Sequence, residues 1–87
     1  MLSCPFIKGY TMELEDRVKK TMAMFNENVS AVAGLRLSQS ESKVVELAKM
    51  YASDTAAFMK KGDYVTAFSA IEYAHGLLDA IIKIKNG

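Results

Sequence analysis

The chain has 87 residues, of which 51% are hydrophobic and 24% are charged, and its formal net charge is +1. A chain of this length forms one domain around one modest core, and it has no room for a deep catalytic cleft between two domains. The 11 basic and 10 acidic residues are scattered along the chain, which argues against a nucleic-acid-binding surface.

The N-terminal residues differ from the rest of the chain. Pro5 and Gly9 interrupt the apolar residues of segment 1–10, so we expect neither a signal peptide nor a membrane span there. We predict a flexible N-terminal segment over 1–10 and a single helical domain over 11–87. The one cysteine, Cys4, cannot form an internal disulfide, which is typical of a cytoplasmic protein, and we expect no role for its thiol.

The first predicted helix runs from Thr11 to Ala33. From Thr11 onward the chain has no proline, and its apolar residues recur at helical spacing, which predicts helices and no sheet. Thr11 is a plausible N-cap, and Gly34 is expected to end the helix in a left-handed conformation. The apolar residues form one narrow stripe: Leu14, Val18, Met22, Phe25, Val29 and Val32.

The second predicted helix follows a connector over residues 34–39. Ser38 and Glu41 have the spacing of a capping box, in which each side chain accepts a hydrogen bond from the other residue's backbone. The helix ends at Lys61, before Gly62. About half of its circumference is apolar. The residues on that half are Val44, Val45, Leu47, Ala48, Tyr51, Ala52, Phe58 and Met59.

The third predicted helix starts after Asp63, which can cap it, and continues to about Lys85. Gly62 and Asp63 therefore make a tight turn between two antiparallel helices. Apolar residues cover roughly two thirds of the third helix, which predicts an antiparallel three-helix bundle with this helix at its centre. Two neighbours either absorb the whole apolar arc or leave a strip for a partner. The remaining polar wedge contains Ser69, Glu72, His75, Gly76, Asp79 and Lys83.

Glu72 and His75 form an ExxH pair, with Asp79 one turn further along the same wedge. Di-iron carboxylate bundles use this spacing, but they need a second such pair, and this chain has one histidine. General acid–base work by His75 lacks a matching nucleophile. We therefore favour a solvated face in which Asp79 and Lys83 form an i, i+4 ion pair, and we predict no metal or cofactor.

Gly76 costs about 1 kcal/mol relative to alanine inside a helix, so its presence calls for an explanation. Close packing against another helix is the favoured explanation, and a ligand lying against bare backbone is the alternative. Tyr51 and Tyr64 are expected in the core, whereas Tyr73 lies at the edge of the apolar arc and is the better interface candidate.

The second half of the chain resembles a small, mostly archaeal family catalogued as domain of unknown function 357. The likeness is strongest over residues 48–80, which contain the sequences KGDY, TAF, IEYAHG and LLDA in that order. The resemblance implies a compact helical bundle from an archaeal cytoplasm. It implies no activity, cofactor or catalytic residue.

Two hypotheses for function follow. In the first, the chain is a protein–protein interaction or homo-oligomerisation module, in which the third helix, with Tyr73 at its margin, binds a second copy or another helical protein. In the second, Glu72, His75, Gly76 and Asp79 form a small-molecule or metal-binding site. We favour the first, and we lean against an enzyme and expect no nucleic acid, no membrane partner and a cytoplasmic location.

Overall fold

The computed structural model describes the backbone of residues 3–86 and the side chains of residues 14–86. Over this part of the chain it contains three helices and no strand. The helices are α1 (Ser3–Ala33), α2 (Gln39–Lys60) and α3 (Tyr64–Asn86). The predicted all-α three-helix bundle is confirmed.

Helix α1 begins earlier than the sequence indicated. It starts at Ser3, so Thr11 lies inside the helix and its predicted role as N-cap is wrong. Pro5 is compatible with this start because it falls in the first turn, where a backbone N–H has no intrahelical acceptor. The predicted flexibility of segment 1–10 stays a prediction, and the side chain of Cys4 lies outside the described residues.

Helix α1 ends at Ala33 as predicted, but by a different cap. Among the described residues only Gly62 has a positive φ, so the left-handed conformation expected at Gly34 is absent. The chain instead tightens its last turn with two short-range bonds. Gly34 N–H donates to the Ala31 carbonyl at 3.2 Å, and Leu35 N–H donates to the Val32 carbonyl at 3.0 Å.

The caps of the other two helices match the sequence prediction. The Ser38 N–H donates to Glu41 Oε1 at 2.8 Å, and the Glu41 N–H donates to Ser38 Oγ at 3.1 Å, which completes the capping box. Gly62, at φ 78°, makes the left-handed turn after α2. Asp63 then caps α3, since its Oδ1 accepts from the Thr66 N–H at 3.2 Å. These caps fix the hairpin of α2 and α3.

Helix α1 runs parallel to α3. The Arg17 guanidinium lies 5.9 Å from the centre of the Phe68 ring, and one turn further along both helices Thr21 Oγ1 donates to Glu72 Oε2 at 2.8 Å. Both residue numbers increase together, which sets the direction. The hydroxyl of the buried Thr21 thereby anchors a carboxylate at the edge of α3.

Helix α2 runs antiparallel to α3, because Glu41 at its start meets Lys85 at the end of α3 with an O···N distance of 2.8 Å. This bond and the Ser38 backbone hydrogen bond hold the pKa of Glu41 below its ordinary value. Helix α3 packs against both neighbours, whereas α1 and α2 touch each other little. The predicted central position of α3 is therefore confirmed, and the molecule is flat, with extents of 53 × 25 × 16 Å.

The core lies along one side of α3. Five of its residues are buried there, and they meet the buried stripe of α1 and two residues of α2. The buried hydrophobic residues are Leu14, Val18, Phe25, Val32, Val45, Ala48, Ala67, Ile71, Ala74, Leu78 and Ile81. Thr55 is also buried, and its hydroxyl is satisfied by donating to the Tyr51 carbonyl at 3.0 Å.

Candidate interaction surface

One side of α3 is covered by neither α1 nor α2. At about 100° per residue, it lies opposite the five buried core residues of the same helix. We call it the outer face of α3. Its residues, all exposed, are Val65, Ser69, Glu72, Tyr73, Gly76, Ala80, Lys83 and Ile84.

The outer face carries large apolar side chains. Tyr73 is 49% exposed, Val65 64% and Ile84 67%. Among the described residues, α3 is the one helix long and apolar enough to cross a membrane by length and composition, a test that the core helix of a soluble protein also passes. Only 28% of its apolar window is buried within the chain. The two neighbouring helices therefore leave part of the apolar arc uncovered.

Gly76 lies on the outer face, and no helix of the described chain packs closely against it. A Cβ added at Gly76 would meet nothing within 4 Å beyond its own part of the helix. No neighbouring helix of the described chain explains the glycine. Ala80, one turn later, is exposed as well, so the two residues form a shallow, side-chain-poor centre of the face.

Charges of both signs border this centre. Glu72 is exposed, with Oε2 accepting the bond from Thr21. Lys83 is paired with Asp79 of the same helix at 3.2 Å, which confirms the predicted i, i+4 ion pair. The side chain of Lys83 is nevertheless 77% exposed, so its ammonium group can reach a second acceptor.

The remaining members of the predicted wedge lie towards α1. His75 and Asp79 are half-buried rather than fully solvated. Within residues 14–86, no group of three or more His, Cys, Asp or Glu side chains is placed to hold a metal ion. On α1, Asn28 lies two turns after Thr21. Its side-chain Nδ2 is buried and has no hydrogen-bond partner among the described residues.

Tyr73 also borders a cleft between α2 and α3. Its ring packs edge-to-face against Tyr51, with ring centres 4.8 Å apart and an interplanar angle of 76°. The prediction that Tyr51 lies in the core is wrong, because Tyr51 borders the same cleft and is 37% exposed. The cleft has a volume of about 350 Å³, with Phe58 and Ala70 among its apolar lining. The tyrosine pair thus lies along one edge of the outer face.

A second concave region separates α1 from α2. Two adjoining depressions of about 340 and 350 Å³ share Val29 and Lys49, and Ile71 of α3 lies at the bottom of one. Side chains of both signs border it, including Glu46 and Lys49. The groove lies where α1 and α2 touch each other little.

The sequence singled out Glu72, Tyr73 and Gly76 as candidate residues, whereas Ile84 was only one member of the apolar arc and Ala80 was not considered. The signal that identifies them is spacing. Residues 4 and 11 positions apart return to nearly the same side of a helix, so Gly76 shares a side with Ala80, and Tyr73 shares one with Ile84.

Comparison with known proteins gives a family and no further relative. The model of the family described as "Protein of unknown function (DUF357)" matches residues 11–86, so the chain belongs to this family. Neither the curated proteins nor the solved structures contain a match to the chain.

Proposed function

We propose that this member of the DUF357 family is an interaction module that uses the outer face of α3 to bind a second copy of itself. The observation that carries the proposal is the uncovered state of its central helix. Both other helices pack on α3, yet only 28% of the apolar 18-residue window of α3 is buried, and Gly76 faces open space. An apolar surface that its own domain leaves exposed is typical of an interaction site.

The charges on the outer face favour a protein over a nucleic acid. Glu72 and Lys83 place an acid and a base on the same side of the helix. A polyanion would be repelled by the first, whereas a protein surface can complement both. The net charge of +1 adds no general attraction for phosphates.

A lipid partner is disfavoured by the core. Five residues of α3 are buried against α1 and α2, and a helix that crossed a bilayer would have to abandon those contacts. Glu72, Asp79 and Lys83 would also have to leave water, which is costly in hydrocarbon. A cytoplasmic location, as expected from the sequence, is therefore part of this proposal.

A second copy is favoured over an unrelated partner because the face carries both members of a charge pair and small residues between them. A second copy whose α3 runs in the opposite direction presents the same residues in reverse order, so the acid of each copy can meet the base of the other. At a net charge of +1, two copies also approach each other without strong repulsion.

The alternative site at Glu72, His75 and Asp79 has less support. One oxygen of Glu72 accepts the Thr21 bond, and Asp79 is paired with Lys83. Both carboxylates thus have structural partners, and we assign no reaction to them.

Sedimentation velocity on the purified chain tests the proposal. We expect the mass to rise from 9.6 kDa towards twice that value as concentration increases, with a dissociation constant on the order of micromolar because one helix of each copy makes the contact. Gly76→Arg should abolish the increase, since a long charged side chain fills the centre of the face. Circular dichroism should show that the variant still folds.

Ala23→Arg is the matched control. Ala23 is exposed on α1, opposite the buried stripe, and the change adds the same charge to a helix interior. This variant should dimerise like the wild type. A wild-type chain that stays monomeric up to millimolar concentration contradicts the proposal, as does equal dimerisation of Gly76→Arg and the wild type. A heteromeric partner that Gly76→Arg excludes would instead assign the face to another protein.

A further inference from the structure

The outer face of α3 is organised as two flanks about a small centre. Glu72 and Lys83 form a charged flank, and Tyr73 and Ile84 form an apolar flank. Each pair is separated by 11 residues, close to three helical turns, so its members lie on the same side of the helix. Gly76 lies between the two flanks.

The pairs also share a common midpoint. The midpoint of 72 and 83, that of 76 and 80, and that of 73 and 84 fall within about one residue of each other, or about 1.5 Å of helix rise. A two-fold axis at this point, perpendicular to the helix, reverses the chain direction and brings each flank against the same flank of a second copy.

Resting on the function proposed above, we infer that two copies pair through antiparallel α3 helices about this axis. Glu72 then faces Lys83 of the partner subunit, and Tyr73 faces the partner's Ile84. Gly76 meets the partner's Ala80 at the centre. Small residues at the centre allow the two backbones to approach closely. This would explain the glycine at position 76, because no contact within the described chain requires one there.

The side chains of the charged flank are free to make this pairing. Within the described chain the only hydrogen bond of the Glu72 carboxylate is at Oε2, which leaves Oε1 for the partner's Lys83. The Thr21 bond holds the carboxylate at the edge of α3 and reduces the entropy lost on pairing. Lys83 can keep its contact with Asp79, since an ammonium group has three donors.

A parallel dimer does not satisfy the same groups. With a two-fold axis along the helices, the charged flank of one copy lies against the apolar flank of the other. Glu72 would then face the partner's Tyr73, and Lys83 would face the partner's Ile84. Both charges would lose water without gaining an opposite charge, which is unfavourable.

Disulfide cross-linking distinguishes the two directions. In a Cys4→Ser background, chains with Glu72→Cys and chains with Lys83→Cys are mixed in equal amounts and oxidised above the dimerisation concentration. A disulfide needs Cβ atoms about 3.5 to 4.5 Å apart. We expect the mixed 72–83 product to exceed either homologous product several-fold. Ala23→Cys, on the side of α1 away from its buried stripe, is the control and should stay uncross-linked.

The outcomes separate this inference from the proposed function. The parallel arrangement is tested by an equal mixture of Glu72→Cys and Tyr73→Cys chains in the same background. A dominant 72–73 product there, with little 72–83 product, would overturn the antiparallel arrangement and leave self-association through α3 intact. A dimer that forms no α3 cross-link, while its Gly76→Arg variant still dimerises, would overturn both. A monomer at every concentration, seen in sedimentation of the unmodified chain, would overturn the proposed function itself.

Discussion

Gly76→Ala should stabilise the isolated chain and weaken its dimer. A glycine in an exposed helix interior is about 1 kcal/mol less favourable than alanine. At Gly76 the added methyl group meets nothing within 4 Å, and the backbone has no positive φ that a side chain would strain. The full propensity gain is therefore expected in the monomer.

A gain of about 1 kcal/mol corresponds to a rise in Tm of roughly 4 to 8 °C for a domain of this size. The dimer should respond in the opposite direction. Each copy adds one methyl group at the centre of the antiparallel contact, where Gly76 meets the partner's Ala80, and the two helices must move apart. We expect the dissociation constant to rise several-fold.

Urea unfolding at a concentration below the dissociation constant measures the first effect, and sedimentation velocity measures the second. Ala23→Gly is the matched control, since Ala23 is exposed in the interior of α1. It should lose about 1 kcal/mol and leave the dimer unchanged. A Gly76→Ala monomer less stable than the wild type would refute the reasoning, because it would mean that another part of the chain packs against Gly76.

Three further predictions concern hydrogen bonds and ion pairs within and between the helices. Thr21→Val keeps the buried volume but removes the donor to Glu72, and it should cost about 1 kcal/mol in urea unfolding because the exposed carboxylate regains water. Ser38→Ala should cost about 1 kcal/mol through the lost α2 cap. Lys85 and the Ser38 backbone lower the pKa of Glu41, so its stabilisation is present above the ordinary value of 4.5 and is lost as the pH falls through the folded-state pKa. The difference in unfolding free energy between wild type and Glu41→Gln should therefore shrink on acidification, and a difference that grows would contradict this assignment.

Local capping chemistry made much of the fold predictable. The Ser38 and Glu41 pair and the Gly62 and Asp63 turn are short-range signals, and both formed as expected. The wide apolar arc of α3 predicted its central position for a similarly direct reason, since a helix apolar on most sides needs two neighbours.

The wrong or incomplete predictions concern proline and glycine, residue types that can have more than one structural role in or next to a helix. The first helix was predicted to begin only at Thr11, but α1 begins at Ser3, and its first turn tolerates Pro5. Gly34 was expected to be left-handed, but a tightened last turn served instead. Gly76 was expected to allow close packing against another helix, but no helix of the described chain lies there, since sequence spacing alone cannot tell which side of α3 its two neighbours leave uncovered.

The central claim is that the outer face of α3 complements itself, and charge reversal tests it most directly. The dimer dissociation constant is measured by sedimentation for wild type, Glu72→Lys, Lys83→Glu and the double variant. Each single change should weaken the dimer several-fold, because it places like charges together at two symmetric positions. The double variant should recover most of that loss, since both pairs are restored with reversed sign. Losses that simply add in the double variant would contradict the claim.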